Sequence, residues 1–377
     1  AAWLDRGVHR FLEFRLPAVE TTTPATERKW PMTIVIGIDP HKGSHTATAI
    51  DGSLDELGTI RVRSSRTMTR DLVKWASSWP ERRWAVEGAR GLGQLLAQQL
   101  IAAGEHVVDV PATLTARARM LDSGQGRKTD QVDARAVATI AAQRLDLPAV
   151  AADDHDRVLR LLADRRDELT QERRRTINRL HRHLRDLIPG GAPVHLSAKT
   201  ASVLITKVRP ATAVDRERKR TARELLVDLR RLDQAMAQNR RRSQDAVAAS
   251  GTTITELPGI SDVLAAKIIG HVAGVGRFPS ANHLASYAGT SPIEASSGDV
   301  VRHRLSRRGN RQLNNAIHLA AHVQTIHPGP GRDYFRRKLD EGKSRPEAMR
   351  ALKRQIVKAI HRTLLADTER SNLATAA

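Results

Sequence analysis

The sequence predicts a mixed α/β domain followed by a largely helical remainder. Three observations predict it. A short apolar strand ends in an acid and folds back on itself within IVIGIDPHKGSHTATAID, residues 34–51. Strand-like and helix-like periods then alternate up to about residue 150, and beyond that point the apolar spacing is helical almost throughout. Charge divides the same way. Residues 1–150 carry 20 Lys and Arg against 17 Asp and Glu, whereas the rest of the chain supplies most of a net charge of +21. That excess implies a polyanionic partner, most simply nucleic acid.

The elements follow in order. Ile34, Val35, Ile36 and Ile38 make a strand buried on both faces, and Pro40, which cannot donate to a ladder, stops it just after Asp39. His41, Lys42 and Gly43 turn the chain into an alternating second strand, 45–50, and residues 58–63 (GTIRVR) suit a third. Residues 66–79 have helical spacing. Trp84, Ala85 and Val86 form a short buried strand that ends at Glu87. A helix over 92–103, closed by Gly104, leads to a strand over 106–110, then helices over 112–121 and 130–144. Three strands, then helix, strand, helix, strand and helices is the ribonuclease H-like order. It makes Asp39 and Glu87 the ends of neighbouring parallel strands.

Two further acids open the last of these helices, in Arg127-Lys128-Thr129-Asp130-Gln131-Val132-Asp133. Asp130 and Asp133 are three apart, so they share a face, at the end of the helix where its dipole favours negative charge. A single Asp there would mean only a cap. Four carboxylates in one site require a cation or protons, because each like-charged pair at roughly 4 Å costs about 4 kcal/mol at an effective dielectric of about 20. All-oxygen donors suit Mg²⁺ or Mn²⁺, and such sites serve phosphodiester chemistry.

GIDPHK, VEG and RKTDQVDA together resemble the DEDD transposases of the insertion-sequence-110 family, which are bridge-RNA-guided serine recombinases. The resemblance runs from Met32 to about Leu365 and implies a fold similar to Holliday-junction resolvases. It matches the family's four metal-binding acids to Asp39, Glu87, Asp130 and Asp133. It also implies donor and target DNA and a guide noncoding RNA as partners, with a homo-oligomer, dimer or tetramer, as the working form.

The chain contains no cysteine, which excludes disulfides, thiolate-bound zinc and thiol nucleophiles. No apolar run reaches membrane-spanning length and no signal peptide is evident, so a cytoplasmic, nucleoid-associated protein is expected. Residues 1–31 lack periodicity, and Met32 precedes the first strand directly, so an upstream extension is expected there. The metal-binding domain is placed at 32–150, a helical arm at 151–250 and a C-terminal transposase domain at 251–377.

In the arm, Leu162, Leu169, Leu180, Leu184 and Leu187 approach heptad spacing along a helix over 153–188. Leu225, Leu229, Leu232 and Met236 repeat the pattern over 223–237. The basic blocks 173–175 and 240–242 lie on or beside these helices. The reading is a coiled-coil arm for oligomerisation with RNA along its basic side. Next, Glu256-Leu257-Pro258-Gly259-Ile260-Ser261 resembles a helix-hairpin-helix turn, with Ser261 where a second glycine is usual.

Ser296, Ser297 and Gly298 precede a run containing Arg302, Arg304, Arg307, Arg308 and Asn310. Serine beside glycine is ordinarily a turn. The family resemblance implies that Ser297 is the nucleophile and Ser296 a bystander, with the metal cluster as its activator, brought close by folding or by subunit assembly. Lys42, Arg127, Lys128, the four arginines and Asn310 are the expected nucleic-acid contacts. The alternatives are a metal-dependent junction endonuclease with a structural Ser297, and a non-catalytic nucleic-acid-binding scaffold.

Overall fold

The structure, a computed structural model, describes residues 34–121, 129–291, 293–294, 303–304 and 309–376. They fall into two compact units that divide between Ala152 and Asp153. No helix among the described residues is long and apolar enough to cross a membrane.

The first unit is built on a five-stranded sheet of β1 (Ile34–Pro40), β2 (Ser44–Ile50), β3 (Glu56–Arg63), β4 (Arg82–Glu87) and β5 (Val107–Val110), in the order β3-β2-β1-β4-β5. β1, β2 and β3 form an antiparallel meander, and β1, β4 and β5 run parallel. This is the expected ribonuclease H-like order. β1 lies at the centre and is buried on both faces, which explains its unbroken apolar run.

One face of the sheet, with Ile36, Ile38, Trp84 and Val86, packs on α1 (Met68–Trp75) and α2 (Gln94–Ala102) through Met68, Leu72, Leu96 and Leu100. The other, with Val35, Ala85, Val108 and Val110, packs on α4 (Asp130–Gln143) through Val137, Ala138 and Ala141. α3 (Ala112–Leu121) lies between β5 and α4 in sequence. Gly37 makes the second contact close: a Cβ on it would lie 2.3 Å from both the Ala134 carbonyl oxygen and the Ala138 nitrogen. Glycine is therefore required for α4 to lie directly on β1.

The second unit is helical apart from a two-residue strand pair. α5 (His155–Leu187) and α7 (Ala213–Ala249) form an antiparallel pair, with Arg173 bonded to Asp233 at 2.6 Å and Arg166 to the Met236 carbonyl at 2.8 Å. α7 is longer than its leucine spacing predicts. It begins at a capping box in which Thr212 and Asp215 satisfy each other's backbone N–H groups, ten residues before the first expected turn. The arm leucines Leu162, Leu169, Leu180, Leu184, Leu229 and Leu232 are buried within this one chain. At the far end Leu180, Leu184 and Leu229 pack with α6 (Ala198–Lys207) around Leu196, Ala201 and Ile205.

At the near end, Leu159 of α5 and Val247 of α7 belong to the core of the C-terminal helices. Those are α8 (Asp262–Val272), α9 (Ala281–Tyr287), α10 (Arg311–Ile326), α11 (Pro330–Asp340) and α12 (Arg345–Ala376). The turn at Gly259 packs against α10: its φ is 79° and a Cβ there would lie 2.8 Å from the Ala320 carbonyl oxygen. Ser261 N-caps α8 without a side-chain hydrogen bond.

His271 on α8 is 1% exposed, and its Nδ1 accepts from Asn310 Nδ2 at 2.9 Å. Burial, with the Arg160 guanidinium second, lowers its pKa from 6.5 to about 4. The unfolded chain thus binds a proton in a window where the folded chain does not, so stability rises with pH through it. The contribution is fully present above 6.5 and lost as pH falls through about 4. It amounts to at most about 3 kcal/mol. Urea unfolding followed by far-UV circular dichroism should show stability falling across that window. His271→Asn, which keeps an acceptor for Asn310 and removes the titrating ring, should flatten the fall.

Candidate metal centre

The strand period of two sets which side chains share the site. Asp39 and Glu87 lie on the same face of the sheet as Val35 and Ala85, the face covered by α4, because Ile38 pairs with Val86 in the parallel register. α4 approaches with its first turn toward the ends of those strands. Thr129 caps it through a 3.3 Å bond from the Val132 N–H, and Asp130 and Asp133 occupy that first turn.

Asp39 and Asp133 are 5% and 4% exposed, whereas Asp130 and Glu87 are only partly buried. Of the four acids expected together, Asp39 and Asp130 fall within one ligand-sized cluster, with His41, while Glu87 and Asp133 do not join it and act on Asp39 through their charge. Burial raises the Asp39 pKa from 3.8 to about 6, and Glu87, Asp133 and Asp130 each push it the same way while His41 opposes them.

His41 was not foreseen in the cluster. Its Nε2 lies 3.1 Å from Asp39 Oδ2 and 3.3 Å from Asp130 Oδ1. Arg61 reaches Asp130 Oδ2 at 3.4 Å, and the Thr115 hydroxyl donates to Glu87 at 2.5 Å. A position two residues after a strand-end acid is the signal that could have found His41, since side chains two apart share a side.

The residues fit a divalent cation. Asp39 Oδ2 is buried and, with His41 Nε2 3.1 Å away as an ion-pair neighbour, accepts no well-directed hydrogen bond, so a carboxylate that burial disfavours has capacity for a cation in the cluster. One donor atom each from Asp39, His41 and Asp130 lies within 4.8 Å of the others, a spacing compatible with one shared ion.

The remaining expected contacts are placed as follows. Lys42 is exposed in the turn beside His41. Ser296, Ser297, Gly298, Arg302, Arg307, Arg308, Arg127 and Lys128 lie outside the described residues, and of Arg304 only the backbone is described. β6 (Ile293–Glu294) and β7 (His303–Arg304) pair antiparallel, Ile293 with Arg304 and Glu294 with His303.

Asn310 opens α10 as its N-cap. Its Oδ1 accepts from the Gln312 and Leu313 N–H groups at the start of α10, and its Nδ2 bonds His271 and the Tyr287 hydroxyl. Its amide is engaged in the fold.

Asp39 gives a stability test. Its folded pKa is raised, so its contribution is fully present below 3.8 and lost as pH rises through about 6. Without divalent ions, Asp39→Asn should therefore raise the melting temperature at pH 8, by a change worth up to about 3 kcal/mol. It should also abolish stabilisation by added Mg²⁺ or Mn²⁺. Tryptophan fluorescence follows this unit, because every tryptophan precedes residue 85.

Known proteins resemble the chain along most of its length. Residues 36–189 match a transposase family profile of the IS110 DEDD type, and residues 251–336 match one described as transposase, IS116/IS110/IS902 family. An uncharacterized 44.8 kDa protein of insertion element IS116 from Streptomyces clavuligerus is 30% identical over 374 residues, covering 86% of this chain and 92% of its own. An uncharacterized 42 kDa protein of insertion element IS900 from Mycobacterium paratuberculosis is 28% identical over 369 residues, covering 85% and 92%. Among solved structures, T. thermophilus RuvC in complex with a Holliday junction substrate overlaps 31% of this chain and 99% of its own, with 15% identity and a TM-score of 0.25. The strand order of the first unit is itself ribonuclease H-like. With both profiles and a relative matched along 92% of its length, the chain belongs to the IS110/IS116 family of insertion-sequence transposases.

Proposed function

We propose that this transposase cuts and exchanges DNA strands through a covalent phosphoserine link at Ser297, supported by a divalent cation held by Asp39, Glu87, Asp130 and Asp133. The convergence of acids from β1, β4 and α4 on one face, in a member of this family, carries the reading. A bound Mg²⁺ or Mn²⁺ would supply Lewis-acid stabilisation of phosphoryl charge.

The chain's own groups do the rest. Ser297 Oγ attacks phosphorus, an Oγ–P bond forms, one P–O bond of the DNA breaks, and the leaving oxygen takes up a proton. The number of phosphodiester linkages is unchanged, so rejoining to a second strand needs no nucleotide triphosphate. Arg302, Arg304, Arg307 and Arg308 supply charge to the phosphates, and Gly298 leaves room for a backbone beside the serine. A guide noncoding RNA from the element selects donor and target by base pairing. Its binding surface includes the exposed arginines 174, 175 and 240–242 of the helical pair. The working form is a homo-oligomer.

The test is denaturing electrophoresis of protein-linked DNA after incubation with supercoiled donor and target, guide RNA and Mg²⁺. Ser297→Ala should abolish the adduct while leaving DNA affinity near normal, and Ser296→Ala should be much milder. Asp130→Ala should also remove the adduct. A normal adduct in Ser297→Ala, or DNA cleavage that never yields one in the wild type, would replace this reading by hydrolysis. Affinity for B-DNA should fall by about 0.9 log units per log unit of salt for each phosphate contacted.

A further inference from the structure

The acid cluster contains one donor that is not an acid. His41 follows Asp39 by two residues across Pro40, so the two side chains leave the strand end on the same side. Its backbone is fixed: the His41 N–H donates to the Ser44 carbonyl at 3.0 Å, closing the turn into β2. The ring is therefore carried by the sheet and not by a free loop.

Its Nε2 sits 3.1 Å from one carboxylate oxygen and 3.3 Å from another, contributed by elements remote in sequence. Donors at adjacent corners of an octahedral shell with bonds near 2.1 Å lie about 3 Å apart, so these spacings are those of a common coordination shell. The nearer oxygen, Asp39 Oδ2, is the buried one that accepts no well-directed hydrogen bond, in a residue that is 5% exposed. The His41 side chain itself is 43% exposed, which leaves the position open to an ion arriving from solvent.

We propose that His41 is a nitrogen donor to the cation held by the acid cluster and that it biases the centre toward Mn²⁺ over Mg²⁺. This rests on the metal-centre reading above and adds a determinant of which ion is preferred. Mg²⁺ holds oxygen donors and its own waters and gains little from an imidazole. First-row transition ions accept imidazole more readily than Mg²⁺ does, and Mn²⁺ shares with Mg²⁺ its suitability for a carboxylate-rich shell. A neutral imidazole further supplies a ligand without adding to the negative charge that Asp39, Glu87, Asp130 and Asp133 already concentrate.

The experiment is calorimetric titration of the full chain with MnCl₂ and, separately, MgCl₂, for the wild type, His41→Ala, His41→Gln and Asp39→Asn. Pulsed electron paramagnetic resonance of the Mn²⁺-loaded protein accompanies it. Wild type should bind Mn²⁺ roughly tenfold or more tightly than Mg²⁺ and show nitrogen hyperfine coupling from a bound imidazole. His41→Ala should lose roughly 10- to 100-fold in Mn²⁺ affinity, change Mg²⁺ affinity by less than about threefold, and lose the nitrogen coupling. His41→Gln should also lose the coupling, and unchanged tryptophan fluorescence in both variants confirms folding.

Unchanged Mn²⁺ affinity in His41→Ala, or no nitrogen coupling in the wild type, would overturn the inference. Tighter binding in His41→Ala would also overturn it, because His41 would then be a counter-ion that the metal must displace. If the wild type binds neither ion and Asp39→Asn behaves identically, the metal-centre reading fails and takes this inference with it.

Discussion

The site depends on how closely α4 can lie on β1. Any side chain at residue 37 would collide with the α4 backbone at Ala134 and Ala138, and the facing residues of α4 are themselves small or β-branched: Ala134, Val137, Ala138 and Ala141. Two spacings then do the rest. From Gly37 to Asp39 is two strand residues, about 6.6 Å, and from Ala134 back to Asp130 is four helix residues, about 6 Å. Because the helix runs against the strand, fixing the contact at Gly37 carries the first turn of α4 to the end of β1. The Asp39 and Asp130 carboxylates are thereby carried to the same place.

That meeting is electrostatically unfavourable by itself, and Asp39 bears the cost. It is the most enclosed of the acids apart from Asp133, and burial more than any neighbouring charge raises its pKa. A fold that presses like charges together behind a glycine contact is less stable than one without them. Such tension is expected where a site is shaped for a ligand that relieves it.

Much of the first unit was legible in the sequence for simple reasons. β1 is buried on both faces and reads as a continuous apolar run, Pro40 marks its end, and an Asp-x-x-Asp at a helix start has a fixed geometry. What was not legible depended on contacts remote in sequence. His41 looked like a turn residue, and nothing local shows that Asp130 would arrive 3.3 Å from its ring. Thr115 likewise reaches Glu87 only because α3 follows β5. The arm leucines were read as part of a coiled-coil arm for oligomerisation; six of them, Leu162, Leu169, Leu180, Leu184, Leu229 and Leu232, are buried within this chain, a packing that their spacing alone does not specify. The early start of α7 was missed because its first turns are highly charged, and the Thr212–Asp215 capping box was the available signal. Asn310 was read as a nucleic-acid contact in a Gly-Asn pair that opens a helix, and the structure shows its side chain at that helix start. The preference of asparagine for the N-cap accounts for that position.

The most direct measurement is the divalent-ion affinity of Gly37→Ala in the full chain, titrated with Mn²⁺ while tryptophan fluorescence reports the fold of the first unit. A methyl group at residue 37 should push α4 off β1, so the variant should retain a native-like tryptophan spectrum but lose roughly tenfold or more in Mn²⁺ affinity. Wild-type affinity in a folded Gly37→Ala protein would contradict the claim that this contact assembles the acid cluster.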